Sequence, residues 1–293
     1  MAARQQNRAP LSGIEGLVRD WTFSPSQPGL RTILRRMLYR PRRGPAPAFE
    51  ALVPIAETAQ RWIAYFVYLP DGQGLSPAHA FTLDRLAGGD AKLLVVCSTP
   101  DPAQVPGELH EKADALYWKA TDGFDFSAYA LALGEIARHS PGSDAFVMND
   151  SVFGPFVPVD TLWPSLRWDL TGLTASFQIE NHVQSYAFGL RDVTPARLDA
   201  LSGVMDRRHA FDDYRPVVYL QETRLARIAA RSMSVGAMWY GPRAVTIDPS
   251  LFAAIPLLRA GFPFLKRGLL TKHVGIYGET AIRGVLEDLR HPV

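Results

Sequence analysis

Between residues 49 and 151 short apolar runs alternate with longer amphipathic ones. Residues 63–69 (IAYFVYL) are apolar throughout and stop at Pro70-Asp71-Gly72, which predicts a strand buried on both faces. Ser76 then offers an N-cap and Pro77 the first helical position, so a helix is predicted up to Gly88-Gly89. Residues 93–98 and 115–119 predict two more strands, and 126–139 a helix halted by Ser140-Pro141-Gly142. Residues 145–148 predict a fourth strand that runs into Asn149-Asp150-Ser151. This β-α-β-β-α-β order predicts an α/β fold with an open, mostly parallel sheet flanked by helices. Ligands of such sheets bind beyond the carboxyl ends of the strands, where Asn149-Asp150-Ser151 is expected to lie. Further on, 168–177 predicts a strand, 194–207 a helix opened by Thr194-Pro195, and 217–234 a helix with Val218, Leu225, Ile228 and Ala229 along one side. No internal repeat is visible.

The first 48 residues have a different character. Residues 32–40 predict a short helix with Ile33, Leu34, Met37 and Leu38 on one face, and 41–47 (PRRGPAP) predict a linker. A basic arm and linker over 1–48 is therefore expected to precede an α/β domain over 49–293. Residues 1–43 hold nine arginines against Glu15 and Asp20, a net +7, which leaves −5 on the rest of a chain whose total is +2. A basic arm on an acidic body favours an anionic partner such as a membrane surface. A second candidate contact is 252–272, which mixes leucines and phenylalanines with Arg259, Lys266, Arg267 and Lys272 and has no acid.

With 293 residues, 47% hydrophobic and 20% charged, the chain has ordinary globular composition. The single cysteine, Cys97, lies in an apolar run and excludes an intrachain disulfide, which fits a reducing compartment. No segment reaches the ~18 apolar residues of a membrane span, and polar Gln5-Gln6-Asn7-Arg8 stand where a secretory leader would turn apolar. A soluble or peripheral protein facing the cytoplasm is expected.

Several chemistries are absent as motifs. No Gly-x-Gly-x-x-Gly follows an early strand, and there is no P-loop, His-Glu-x-x-His, Cys-x-x-Cys pair or Gly-x-Ser-x-Gly elbow. Two acidic turns remain. In Asn149-Asp150-Ser151-Val152-Phe153-Gly154-Pro155, Asp150 offers a charged oxygen to a divalent cation such as magnesium or manganese. Asn149 and Ser151 offer neutral donors there, and Gly154 a close approach of backbone. In Gly123-Phe124-Asp125-Phe126, Asp125 is placed either to cap the following helix or to bind donor hydroxyls.

Taken in order, these segments resemble the rhamnan synthesis protein F family. The likeness covers about residues 60–270 and runs through Gly123-x-Asp125, 149–155 (NDSVFGP) and 169–174 (DLTGLT). It continues through 182–186 (HVQSY), Glu222, and 263–266 (PFLK). The chain departs from the pattern at Thr171, Ala187 and Gln221, where aromatics are usual. The resemblance implies a glycosyltransferase of surface-polysaccharide assembly with a GT-A-like fold. Its donor would be a nucleotide diphosphate sugar, dTDP-rhamnose by the family's name, and its acceptor a glycan or lipid-linked sugar. It implies donor contacts from Gly123, Asp125, Asn149, Asp150, Ser151, Gly154 and Lys266, with the metal on Asp150. Acceptor contacts are implied for Gly172, Thr174, Gln184, Ser185 and Tyr186, and the catalytic base would be His182 or Glu222. A noncatalytic sugar-binding scaffold, with Trp163, Trp168 and Tyr186 stacking on sugar rings, is the rival reading. A nucleic-acid partner for the arm is disfavoured by the acidic body.

Overall fold

The computed structural model describes residues 9–293; Arg4 and Arg8 of the basic segment lie outside them. Ten strands form one mixed sheet: β1 (Val18–Thr22), β2 (Phe49–Val53), β3 (Arg61–Tyr68), β4 (Lys92–Ser98), β5 (Ala115–Lys119), β6 (Ser143–Asn149), β7 (Leu170–Ser176), β8 (His182–Val183), β9 (Ala187–Val193) and β10 (Val235–Gly241). Their order is β1-β10-β7-β9-β6-β3-β4-β5-β2, and β8 pairs with β7. The expected parallel block is present, with β6, β3, β4 and β5 side by side and parallel. Antiparallel β9 joins that block to β7, and β10 lies parallel to β7. Both outer strands, β1 and β2, are antiparallel to their neighbours.

The continuous apolar runs follow from cover on both faces of the sheet. Along β3, Trp62, Ala64 and Phe66 pack under helix α3 (Asp125–His139) with Phe126, Tyr129 and Leu133. The alternate residues Ile63, Tyr65 and Val67 pack under helix α2 (Pro77–Ala87) with Leu83 and Leu86. Cys97 is fully buried on this second face, and burial pushes its thiol up to about 12, which makes it inert. Ser76 caps α2 as expected, accepting from the His79 N–H while the His79 ring accepts from the Ser76 N–H.

Two expectations are corrected. Residues 9–48, expected as part of a basic arm and linker, pack on the α/β body. Val18–Thr22 is a sheet strand, and Trp21 stacks on Tyr240 of β10 with ring centroids 4.4 Å apart. Arg42 pairs with Asp213 at 3.0 Å, and Arg36 of helix α1 (Leu30–Tyr39) pairs with buried Glu180. The acidic body thus takes up part of the arginine charge. The second correction concerns 217–234: a π turn occupies Val217–Glu222, and helix α4 (Thr223–Ala229) follows it. The Thr223 hydroxyl donates to the Val218 carbonyl five residues back, at 2.9 Å. Residues 194–207 likewise hold a shorter helix than predicted, Pro195–Leu201.

Candidate active site

A cavity of about 390 Å³ opens where β6 ends and α3 begins. It lies beyond the carboxyl end of a parallel strand, the position expected from topology. Asp125, Asn149, Ser151, His182, Gln184, Ser185, Tyr186, Glu222 and Lys266 all line it. Segments as far apart in sequence as 125 and 266 meet here because the chain after β6 returns repeatedly, the π turn and Asp248 included. First it passes through β8 and the turn before β9. Later Leu265–Lys266 pairs antiparallel with Val152–Phe153, directly after Ser151.

One wall is acidic. Asp125 stands in the first turn of α3, where the helix dipole favours an anion. Its carboxylate accepts from the Phe126 N–H and from the Asn149 amide, both at 3.0 Å. The other end of that amide accepts from the Ser151 hydroxyl at 2.6 Å, so 149–151 forms a rigid rim. Burial and then the nearby Glu222 push the Asp125 carboxyl up to about 6, against those hydrogen bonds and the charge of Lys266. Glu222, at the end of the π turn, accepts from the Ser185 N–H and hydroxyl at 3.3 and 3.1 Å. π turns recur at functional sites because they swing one side chain out of helical register.

Basic side chains line the cavity as well. The Lys266 ammonium lies 3.6 Å from the centroid of the Tyr186 ring. Burial pushes it down to about 8, against the attraction of Asp248 and Glu222. Tyr186 cannot swing away, because its hydroxyl is held 2.8 Å from that of Thr174. Lys272 and His273 line the cavity too, and burial followed by the Lys272 charge holds His273 below its usual range. His182 is 5% exposed, and its Nδ1 lies 2.8 Å from the Glu180 carbonyl. A carbonyl only accepts, so Nδ1 carries a proton, and in the neutral tautomer Nε2 is the nitrogen left with a lone pair.

The other expected residues lie elsewhere. Asp150 does not line the cavity: its carboxylate accepts from the Tyr68 N–H at 2.9 Å and stands 3.5 Å from Nε2 of His79 on α2. Among the described residues no group of three or more His, Cys, Asp or Glu side chains is placed to hold a metal ion. Asp150 is thus turned away from the Asn149 and Ser151 side chains that line the cavity. Asp150→Ala is expected to lower stability by about 1–2 kcal/mol and to leave ligand binding in the cavity within about twofold. Calorimetry and a melting curve check both.

Gly154 also serves the fold, since a Cβ there would stand 2.4 Å from the Pro263 carbonyl oxygen. Gly123, at φ +70°, turns the chain and donates its N–H to Asp212 at 2.9 Å. Gly172 leaves room for Val183, and Thr174 acts only through Gln184 and Tyr186. Trp163 packs against Phe146 and Trp168 against Gly236, so neither is free to stack on a sugar. Asp248, Lys272 and His273 are charged or titratable cavity residues that the sequence reading left out of the site. Asp248 precedes Pro249 and reads as the helix cap it is, yet it also accepts from Gln184 at 3.1 Å in the cavity wall. Lys272 belongs to the 252–272 stretch expected on the surface; it is exposed and borders the cavity mouth, while Lys266 is half-buried in the cavity lining.

No family model matches the chain, and no curated protein matches it. The rhamnan synthesis resemblance is thus carried by the quoted motifs alone. Solved structures similar to it include S. aureus TarS 1–349, at 10% identity and a TM-score of 0.38, over 68% of this chain and 64% of that one. Another structure of that TarS fragment, in complex with UDP-GlcNAc, is 10% identical at 0.38, over 61% and 57%. A protein described as a nucleotide-diphospho-sugar transferase from Desulfovibrio desulfuricans G20 is 16% identical at 0.37, over 79% and 97%. The chain spans about two thirds of the TarS fragment or less. Likenesses at these TM-scores assign neither substrate nor chemistry to the cavity.

Proposed function

We propose that the protein is a glycosyltransferase that moves a sugar from a nucleotide diphosphate onto an acceptor hydroxyl. One observation carries this reading: two lysines, one of them desolvated, share one cavity at a strand's carboxyl end with three carboxylates and His182. Sugar transfer needs compensation of the charge that builds on the departing diphosphate, a base for the acceptor proton, and alignment of both at the anomeric carbon. Lys266 and Lys272 supply the first. His182 Nε2 takes the proton as the acceptor oxygen attacks C1 and the C1–O bond to the diphosphate breaks. Glu222, braced by Ser185, and Asp125, braced by Asn149, hold sugar or acceptor hydroxyls.

Rhamnose as the transferred sugar, dTDP as its carrier and a glycan or lipid-linked acceptor rest on the motif resemblance. The test is a panel of nucleotide diphosphate sugars, including dTDP-rhamnose and UDP-GlcNAc, scored by thermal stabilisation with magnesium, with manganese and with EDTA. A nucleotide diphosphate is expected to raise the melting point in all three conditions, because the lysines themselves carry counter-charge. Stabilisation by free sugars and by no nucleotide would favour a binding scaffold and end this reading.

A further inference from the structure

Helix α1 is amphipathic in the opposite sense to an ordinary surface helix. Tyr39 and Arg36 face the body, Tyr39 buried and Arg36 bonded to Glu180, Thr223 and the Tyr219 carbonyl. The other side carries Leu30, Leu34, Met37 and Leu38, which are 72%, 56%, 65% and 64% exposed. At 100° per residue these four share one arc with Ile33. Arg31 and Arg35 border the arc on one side and Arg40 on the other. No acid occurs between Asp20 and Glu50, so the whole segment is cationic. Beside it opens a hollow of about 490 Å³ lined by Arg36, Arg40, Arg43 and Arg224 together with Met37 and Leu220, and by no acidic side chain. Burial and the neighbouring Arg36 hold the Arg224 guanidinium below its usual range, which marks a place where positive charge is crowded.

We infer that α1 and this hollow form a docking surface for an anionic lipid bilayer. An exposed leucine-rich arc flanked by arginines suits a helix lying in the plane of the interface, its apolar side chains among the acyl chains and its arginines at the phosphates. Nucleic acid would be served by the arginines alone and has no use for four exposed aliphatic side chains. No helix among the described residues is long and apolar enough to cross a membrane, so the contact is one of surface attachment. The attachment has a bearing on the cavity. Thr223, which accepts from Arg36 at 3.1 Å, lines the catalytic cavity, so the helix and the cavity share a wall. Docking would hold the cavity near the level of lipid headgroups, where a lipid-linked acceptor resides.

Co-sedimentation of the full chain with vesicles tests this. The protein is expected to bind vesicles of equal parts phosphatidylglycerol and phosphatidylcholine, to be released by high salt, and not to bind pure phosphatidylcholine. Leu34→Ser with Leu38→Ser should weaken binding by about tenfold or more. Arg31→Gln with Arg40→Gln should weaken it about thirtyfold. These sites are exposed, so unchanged melting points and unchanged nucleotide-diphosphate binding would show that fold and cavity are intact. Wild-type binding that ignores lipid charge, or either variant binding like wild type, would overturn the inference. So would RNA retention that survives the leucine changes and displaces vesicles. The vesicle result and the nucleotide panel can fail separately, which keeps the two readings distinguishable.

Discussion

Replacing Lys266 by alanine is expected to slow transfer by about a hundredfold or more, mostly through weaker capture of the departing diphosphate. The ammonium lies within a cavity wall, so its charge acts on a bound anion with little screening by water. Its placement also yields a pH signature. With the ammonium pushed down to about 8, the free protein carries the full charge below that pH and loses it as pH rises through it. Diphosphate affinity, measured by calorimetry, should therefore fall between about pH 7 and about pH 9, and Lys266→Ala should flatten that fall. Fold stability should move the other way. The unfolded chain holds this proton up to about 10.5, so between about 8 and 10.5 it binds more protons than the native state, and the native state gains stability as pH rises. A diphosphate affinity that is flat across this range, with wild-type kinetics in the alanine variant, would remove Lys266 from the mechanism.

His182→Ala is the second large effect. If Nε2 takes the acceptor proton, transfer should drop by about a hundred- to ten-thousandfold while donor affinity stays within a small factor. The contrast between kcat and donor binding separates a base from a merely structural histidine. A structural role would lower the melting point through loss of the Nδ1 bond to Glu180 and disturb both parameters together. Glu222→Gln provides the comparison. Its amide can still accept from Ser185, so loss confined to Glu222→Gln, with His182→Ala active, would transfer the proton role to Glu222.

The parallel block was legible in sequence because its strands are buried on both faces. Runs such as 93–97 are apolar throughout, and Ser76-Pro77 marks a helix start by stereochemistry alone. The strands that frame the block carried no such mark. β9 (AFGLRDV) and β10 (VGAMWYG) contain glycines, and Gly236 exists to admit the Trp168 ring, whose nearest atom would lie 2.3 Å from a Cβ. β1 (VRDWT) is short and charged, which is how an edge strand looks and also how a linker looks. In the site, Asp125, Lys266 and the 182–186 turn were legible as a set through motif order. The error at Asp150 has a plain cause: adjacent residues leaving a strand point to opposite sides. Asn149 and Ser151 face the cavity, so Asp150 between them is turned towards α2. The π turn was invisible to a search for period 3.6, since it shifts register within a single stretch.

β1 also acts as a guard. It occupies the outer flank of β10, whose backbone would otherwise offer an open row of donors and acceptors beside Trp239 and Tyr240. A version of the protein shortened to begin at residue 49 would lose that cover and invite another molecule's strand in its place. Self-association would then obscure whatever the shortening was meant to measure, so the N-terminal basic residues are best studied by changing side chains and leaving the backbone whole.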